Sequence, residues 1–152
     1  MNKISKITAG LILTLGFLAA QAQVEVSEEA KAQLPIKELF LGMKNNDSSL
    51  VRQAFVVDGR LETVAKNKEG VVSVKSTPLT QFFATIASSP SGSLDERLMG
   101  MEIKIDGDMA TAWTPYEFFY NGQFSHRGVN AFQLVKINDH WKIWSIIDTR
   151  RK

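Results

Sequence analysis

MATAWTPYEFFYNGQFSHRGVNAFQLVKINDHWKIWSIIDT, residues 109–149, is the stretch that decides the fold. Asn121-Gly122 and Asn138-Asp139 cut it into three runs of alternating character. Asn-Gly between such runs is a strong hairpin signal, because a type I′ turn needs positive φ at both central residues. The stretch therefore reads as three consecutive antiparallel strands. A two-residue first loop sets Tyr120 opposite Gln123, Glu117 opposite His126 and Trp113 opposite Asn130. The second hairpin sets Leu134 opposite Ile143, Phe132 opposite Ser145 and Asn130 opposite Ile147.

In that register one face carries Trp113, Glu117, His126, Asn130, Phe132 and Leu134, with Trp141, Ile143 and Ile147. It is mostly apolar with a polar group set into it. The reverse face carries Ala112, Tyr116, Arg127, Ala131, Ile146 and Asp148 among others, too apolar to lie wholly open to water. A second copy of the chain is the partner this face calls for, making a homodimer through the outer sheet face. A bulge in either hairpin would exchange the two faces, since side chains alternate with a period of two.

The N-terminus has its own logic. Lys3 and Lys6 precede an apolar run over residues 7–18, and Ala20-Gln21-Ala22 is a small-x-small cleavage pattern. Residues 1–22 read as a signal peptide, too short in its apolar part for a membrane span of about 20 residues. Removing them leaves 130 of the 152 residues, one domain's worth. With no Cys, neither a lipid anchor on Cys nor a disulfide is available, so the mature chain should be soluble and periplasmic or secreted, without a membrane anchor. Both leader charges are Lys, so the 18 basic side chains fall to 16 and balance the 16 acidic ones. A neutral chain without a basic, aromatic-studded stripe gives no support to nucleic-acid binding.

Residues 23–33 are polar and acidic and read as a flexible leader, followed by one domain over 34–152. Pro35 suits a first helical turn, and Ile36, Leu39, Phe40 and Met43 then share one face. Asp47 or Ser48 can cap a second, short helix, and Thr77 before Pro78 a third with Leu79, Phe82, Phe83 and Ile86 on its buried side. Residues 60–66 and 71–75 read as strands, as does 94–105, which turns at Asp106-Gly107-Asp108 into the C-terminal ribbon.

Two helices, two strands, a third helix and a long curling sheet resemble the cone-shaped domain of the nuclear transport factor 2-like superfamily. Gly122-Gln123-Phe124-Ser125-His126-Arg127-Gly128-Val129-Asn130, continuing to Leu134, and then Trp141-Lys142-Ile143 and Ile147-Asp148-Thr149-Arg150-Arg151 are most similar to the branch called putative lumazine-binding proteins. The resemblance covers roughly residues 34–152. It implies an α+β fold in which a cone-shaped, curved antiparallel sheet wraps around three helices, leaving a pocket at the open end. It also implies pairing of two chains through the outer sheet face.

Glu117 opposite His126 could act as an acid/base pair, with Asn130 adding an amide and Trp113 and Phe132 flat apolar surfaces. An ordinary cross-strand pair at a wet rim is the plainer alternative. Asp148, a carboxylate ending an apolar strand, is either a proton-transfer group or the partner of Arg127 or Arg150. With only His126 and His140 and no Cys, a structural zinc site lacks ligands, and no phosphate loop, nucleophile elbow or H-E-x-x-H helix occurs. No cofactor or metal is expected. The resemblance also extends to ketosteroid isomerases, but a rough alignment puts Thr63 where their base stands and Phe40 where their oxyanion-binding Tyr stands.

The expectation is a small-molecule-binding domain of unknown ligand, with a ligand pocket of Trp113, Glu117, His126, Asn130, Phe132 and Asp148. The alternative is a lyase or isomerase that transfers a proton with a His or carboxylate base.

Overall fold

The computed structural model describes residues 26–152; the expected signal peptide lies outside the described residues. Three helices and seven strands follow in the order α1 (Glu28–Asn45), α2 (Ser48–Ala54), β1 (Phe55–Lys66), β2 (Val72–Ser76), α3 (Leu79–Ser88), β3 (Leu94–Leu98), β4 (Glu102–Asp106), β5 (Met109–Tyr120), β6 (Gln123–Ile137) and β7 (His140–Arg151). The architecture is α+β.

Helix α1 starts at Glu28 rather than beside Pro35, so residues 28–33 are helical and not a flexible leader. Ser27 caps it by accepting from the Ala30 N–H, and Glu28 and Glu29 place negative charge on the first turn, where the helix dipole favours it. Pro35 sits inside the helix and forgoes one backbone bond. Tertiary packing outweighs that loss: Glu28 reaches Lys136 at 3.0 Å and the Trp141 indole N–H at 3.2 Å, which ties the first turn to the last hairpin. Asp47 caps α2 through the N–H groups of Ser49 and Leu50. Thr77 does not cap α3; Pro78 is its N-cap residue and makes no side-chain cap bond, while the Thr77 N–H is spent on the Leu61 carbonyl.

The strands form one curved, unclosed sheet in the order β2-β1-β7-β6-β5-β3, with β4 also on β5. It is mixed and not wholly antiparallel, because β1 runs parallel to β7. Parallel neighbours need a long crossover, and residues 67–139 lie between these two. The expected strand over 94–105 is two strands sharing one edge of β5, broken opposite Pro115. Proline has no N–H for the ladder, and its carbonyl takes the Met99 N–H instead.

Both C-terminal turns form as expected, with positive φ at Asn121 (50°), Gly122 (76°), Asn138 (49°) and Asp139 (63°). Each hairpin also contains a bulge. Phe118 faces His126 but Phe119 faces Phe124, so Ser125 is the extra residue; Gln133 faces Ser145 but Leu134 faces Ile143, so Trp144 is the other. Beyond the first bulge Glu117 pairs with Arg127 and Trp113 with Ala131; beyond the second, Phe132 pairs with Ile146 and Asn130 with Asp148. The pairings Glu117–His126, Trp113–Asn130, Phe132–Ser145 and Asn130–Ile147 are thereby corrected, each by one residue.

One-residue slips exchange faces. The concave face carries the buried Ala110, Ala112, Thr114 and Tyr116 of β5, Asn130, Phe132 and Leu134 of β6, and Ile143, Ile146 and Asp148 of β7. Ala32, Ile36, Leu39 and Met43 of α1 join these apolar residues in a single core, with Phe83 and Ile86 of α3.

Candidate functional site

The core does not fill the cone completely. Between α1, α3, β1 and the concave face lies a cavity of about 260 Å³. Its apolar wall includes Leu39, Phe40, Met43, Leu61 and Phe82; its ionisable groups come from β3, β5, β6 and β7, with Thr63 of β1 and Gln81 and Thr85 of α3 adding neutral polar ones.

Register brings those polar groups together. Thr114, Asn130 and Asp148 stand in one row across β5, β6 and β7. The Asn130 amide donates to Glu96 Oε1 at 2.7 Å and lies 3.4 Å from Thr114 Oγ1. Tyr116 holds one hydroxyl proton between two acceptors, Asp148 Oδ2 at 3.2 Å and the Thr149 carbonyl at 3.1 Å. Arg150 donates through Nε to the same Asp148 oxygen at 2.8 Å and through Nη2 to Thr63 at 3.3 Å. The other oxygen, Asp148 Oδ1, is buried and has no hydrogen-bond partner among the described residues. His126 packs edge-on against Tyr116 at 5.8 Å and beside Phe118 at 5.1 Å, its Nδ1 lying 3.0 Å from Ser125 Oγ.

Gly128 makes this arrangement possible. It lies opposite Tyr116, and a Cβ there would sit 1.8 Å from the Thr149 carbonyl oxygen and 2.8 Å from the Tyr116 ring. Any larger residue would displace the tyrosine that holds Asp148.

Electrostatics bear most on Glu96. Burial pushes the Glu96 carboxyl up to about 7; the Asp148 charge pushes the same way, while the Asn130 hydrogen bond and Arg150 oppose it. Asp148 instead holds a guanidinium and a phenol. Burial, helped by Asp148 and Glu96, also raises the Tyr116 phenol, so it stays a neutral donor. Burial, with Arg150, lowers the His126 imidazole, although Asp148 pulls it upward. A neutral histidine and a carboxyl titrating near neutrality can both exchange protons with a bound molecule.

Of the residues expected at a pocket, His126, Asn130, Phe132 and Asp148 line this cavity. Trp113 and Glu117 do not. Trp113 is 53% exposed on the convex face, and Glu117 stands opposite Arg127, so no Glu117–His126 pair forms; the Ser125 bulge separates them. Arg150, and not Arg127, is the partner of Asp148. Glu96 escaped the sequence reading because Asp95-Glu96-Arg97 looks like a solvated run. The signal was alternation: Leu94, Glu96 and Leu98 share one side of β3, which sets a carboxylate where an apolar residue belongs. Thr63 and Phe40 both line the cavity, so the positions that depart from the isomerase pattern lie at the site. Among the described residues, no group of three or more His, Cys, Asp or Glu side chains is arranged to hold a metal ion.

The family model described as "Putative lumazine-binding" matches residues 27–146, and the chain belongs to that family. Among solved structures, a nuclear transport factor 2-like protein of unknown function from Shewanella baltica is similar, with 19% identity over 82% of this chain and 94% of that one and a TM-score of 0.63. A cystatin-like-fold protein of unknown function from Nostoc punctiforme has 17% identity, covers 84% and 95%, and scores 0.63. A protein from Streptomyces avermitilis, described as a putative dehydratase of the nuclear transport factor 2-like family, has 14% identity, covers 80% and 94%, and scores 0.60. Identities this low establish a shared fold and no more. Among curated proteins, none matches the chain.

Proposed function

We propose that the chain is a secreted or periplasmic small-molecule-binding domain that works as a homodimer and takes its ligand into the cone. The observation that carries this reading is the cavity of about 260 Å³, walled by Leu39, Phe40, Met43 and Phe82 from the helices, with the Glu96–Asn130 pair and Asp148 gathered on its sheet side. An apolar pocket with a few convergent polar groups is the usual form of a ligand site. Phe40, Phe82 and Phe132 offer flat surfaces to a small, partly aromatic molecule, and Asn130, Glu96 and His126 fix its orientation.

Native mass spectrometry of the gently purified protein tests this. The expected result is a small-molecule adduct that survives Trp113→Ala on the convex face and disappears in Thr63→Trp, which puts an indole where Thr63 lines the cavity. An adduct indifferent to Thr63→Trp would place the ligand elsewhere. Intact-mass analysis of the secreted protein checks the leader, with Gln23 as the expected first residue.

One observation favours a second reading, a lyase or isomerase: the Glu96 carboxyl, pushed up to about 7, is matched to proton transfer at neutral pH. A nitrobenzisoxazole is a suitable probe, because removal of its one acidic C–H proton breaks the N–O bond and releases a coloured cyanophenolate. Turnover that rises through pH 7 and vanishes in Glu96→Gln supports a working base. Turnover equal to that of free carboxylate in solution speaks for the binding module alone.

A further inference from the structure

Three residues join the cavity in the cone to a second space. Phe118, His126 and Arg150 line the cavity and also line an open recess of about 510 Å³, so the two spaces adjoin. Tyr120, Ser125, Arg151 and Lys152 complete the recess, at the end of the sheet where β5 and β7 finish and β6 begins.

The two spaces differ in charge. The cavity holds the carboxyl groups of Glu96 and Asp148, whereas the recess is lined by three cations and by no Asp or Glu. Arg150 spends Nε on Asp148 and Nη2 on Thr63, two of the five N–H donors of a guanidinium. Arg151 and Lys152 form no ion pair among the described residues. The cross-strand neighbour of Arg151 is another cation, Arg127, and Glu117 beyond it does not line the recess. Like charges set opposite each other on a ladder repel, so this end of the sheet holds uncompensated positive charge. Phe118 and Tyr120 place ring surface beside it.

We propose that the recess is the outer half of the ligand site and takes an anionic group, a carboxylate or a phosphate, carried by the small molecule whose flat apolar end enters the cone. This rests on the ligand-binding reading above and adds the chemistry of the ligand's outer end. An apolar cavity of about 150 Å³ holds a benzene ring, so one of about 260 Å³ takes about two fused rings. The carboxyl groups of Glu96 and Asp148 disfavour an anion inside the cone, so the ring end goes in first. A carboxylate or phosphate on that ring system then emerges past Phe118 and His126. There it accepts from the remaining N–H donors of Arg150 and meets the charges of Arg151 and Lys152.

NMR titration of the protein with matched probes tests this: neutral 2-naphthamide, 2-naphthoate of nearly the same shape with a negative charge, and 2-naphthyl phosphate. Each should move the amide signals of Asn130 and His126 in the wild type and leave them in place in Thr63→Trp. The two anions should bind about tenfold or more tighter than 2-naphthamide, and the tighter of the two names the group. High salt should narrow that preference. In Arg151→Glu/Lys152→Glu the preference should vanish while 2-naphthamide binds within about twofold of the wild type, which also shows that the variant is folded. Arg151→Lys, which keeps the charge, should keep the preference. Equal binding of the three probes by the wild type, or a preference intact in the double variant, would overturn the recess site and leave the cavity reading standing. If no probe moves Asn130 and His126, the cavity reading falls and the recess site falls with it.

Discussion

The two faces of strands β5, β6 and β7 come from one alternating chain and do opposite things. On the concave side Phe132, Leu134 and Ile143 join the helices in the core, and the polar groups are few and nearly all satisfied: Thr114, Asn130 and Asp148 are buried, and each has a named partner. On the convex side a large aromatic residue, Trp113, lies half-exposed among Thr111, Gln133 and Ser145, with charges only at the margins. The difference teaches that burial on this sheet follows the side to which alternation turns a residue and not its hydrophobicity alone. Ala110, Ala112 and Thr114 lie inside with Phe132, Leu134 and Trp141, while Trp113 stays outside.

That contrast can be broken by substitution. The largest effect is expected at Gly128: Gly128→Ala drives a methyl into the Thr149 carbonyl and the Tyr116 ring and should cost about 3 kcal/mol in chemical denaturation, the upper range for overpacking. On the convex side, Gln133→Ala should stay within about 0.5 kcal/mol in the monomer. Equal costs at the two sites would mean that the faces are not distinct.

Glu96 gives the next effect, through pH. Its folded-state pKa is raised from 4.5 to about 7, so the native protein holds this proton more tightly than the unfolded chain does. The favourable contribution is fully present below pH 4.5 and is lost as pH rises toward 7, by at most about 3 kcal/mol. His126 acts in the opposite sense: its lowered pKa removes stability as pH falls below 6.5, so the comparison must be made as wild type minus Glu96→Gln. The difference should slope downward between those limits; a flat difference would show Glu96 hydrated.

Tyr116→Phe removes the donor shared by Asp148 and Thr149 and should cost about 1–2 kcal/mol. Glu117→Gln, on the strand's other side, should cost about 0.2–1 kcal/mol, the range of an ordinary cross-strand pair. It should also leave the His126 titration unchanged, since Arg127 is its neighbour.

Much of this was legible in the sequence. Turn chemistry at Asn121-Gly122 and Asn138-Asp139 gave the hairpins, apolar periodicity gave the three helices, and the family motif around Asn130 and Asp148 gave the branch. Two single-residue bulges, at Ser125 and Trp144, were not legible, because a strand with an extra residue keeps its composition and loses only its phase. That phase decided whether Trp113 or Tyr116, and Ile147 or Asp148, would face inward. Asp148 could take the inner position because Arg150 and Tyr116 meet it there, from two residues along β7 and from β5, two strands away. Glu96 was hidden differently, as a charge between two charges.

The central claim is that the cone encloses an apolar cavity with a carboxyl group inside it. A carboxyl-carbon NMR titration of Glu96 in the folded protein tests this most directly. The predicted result is an inflection near pH 7; an inflection at 4.5, the ordinary value for a hydrated glutamate, would contradict it.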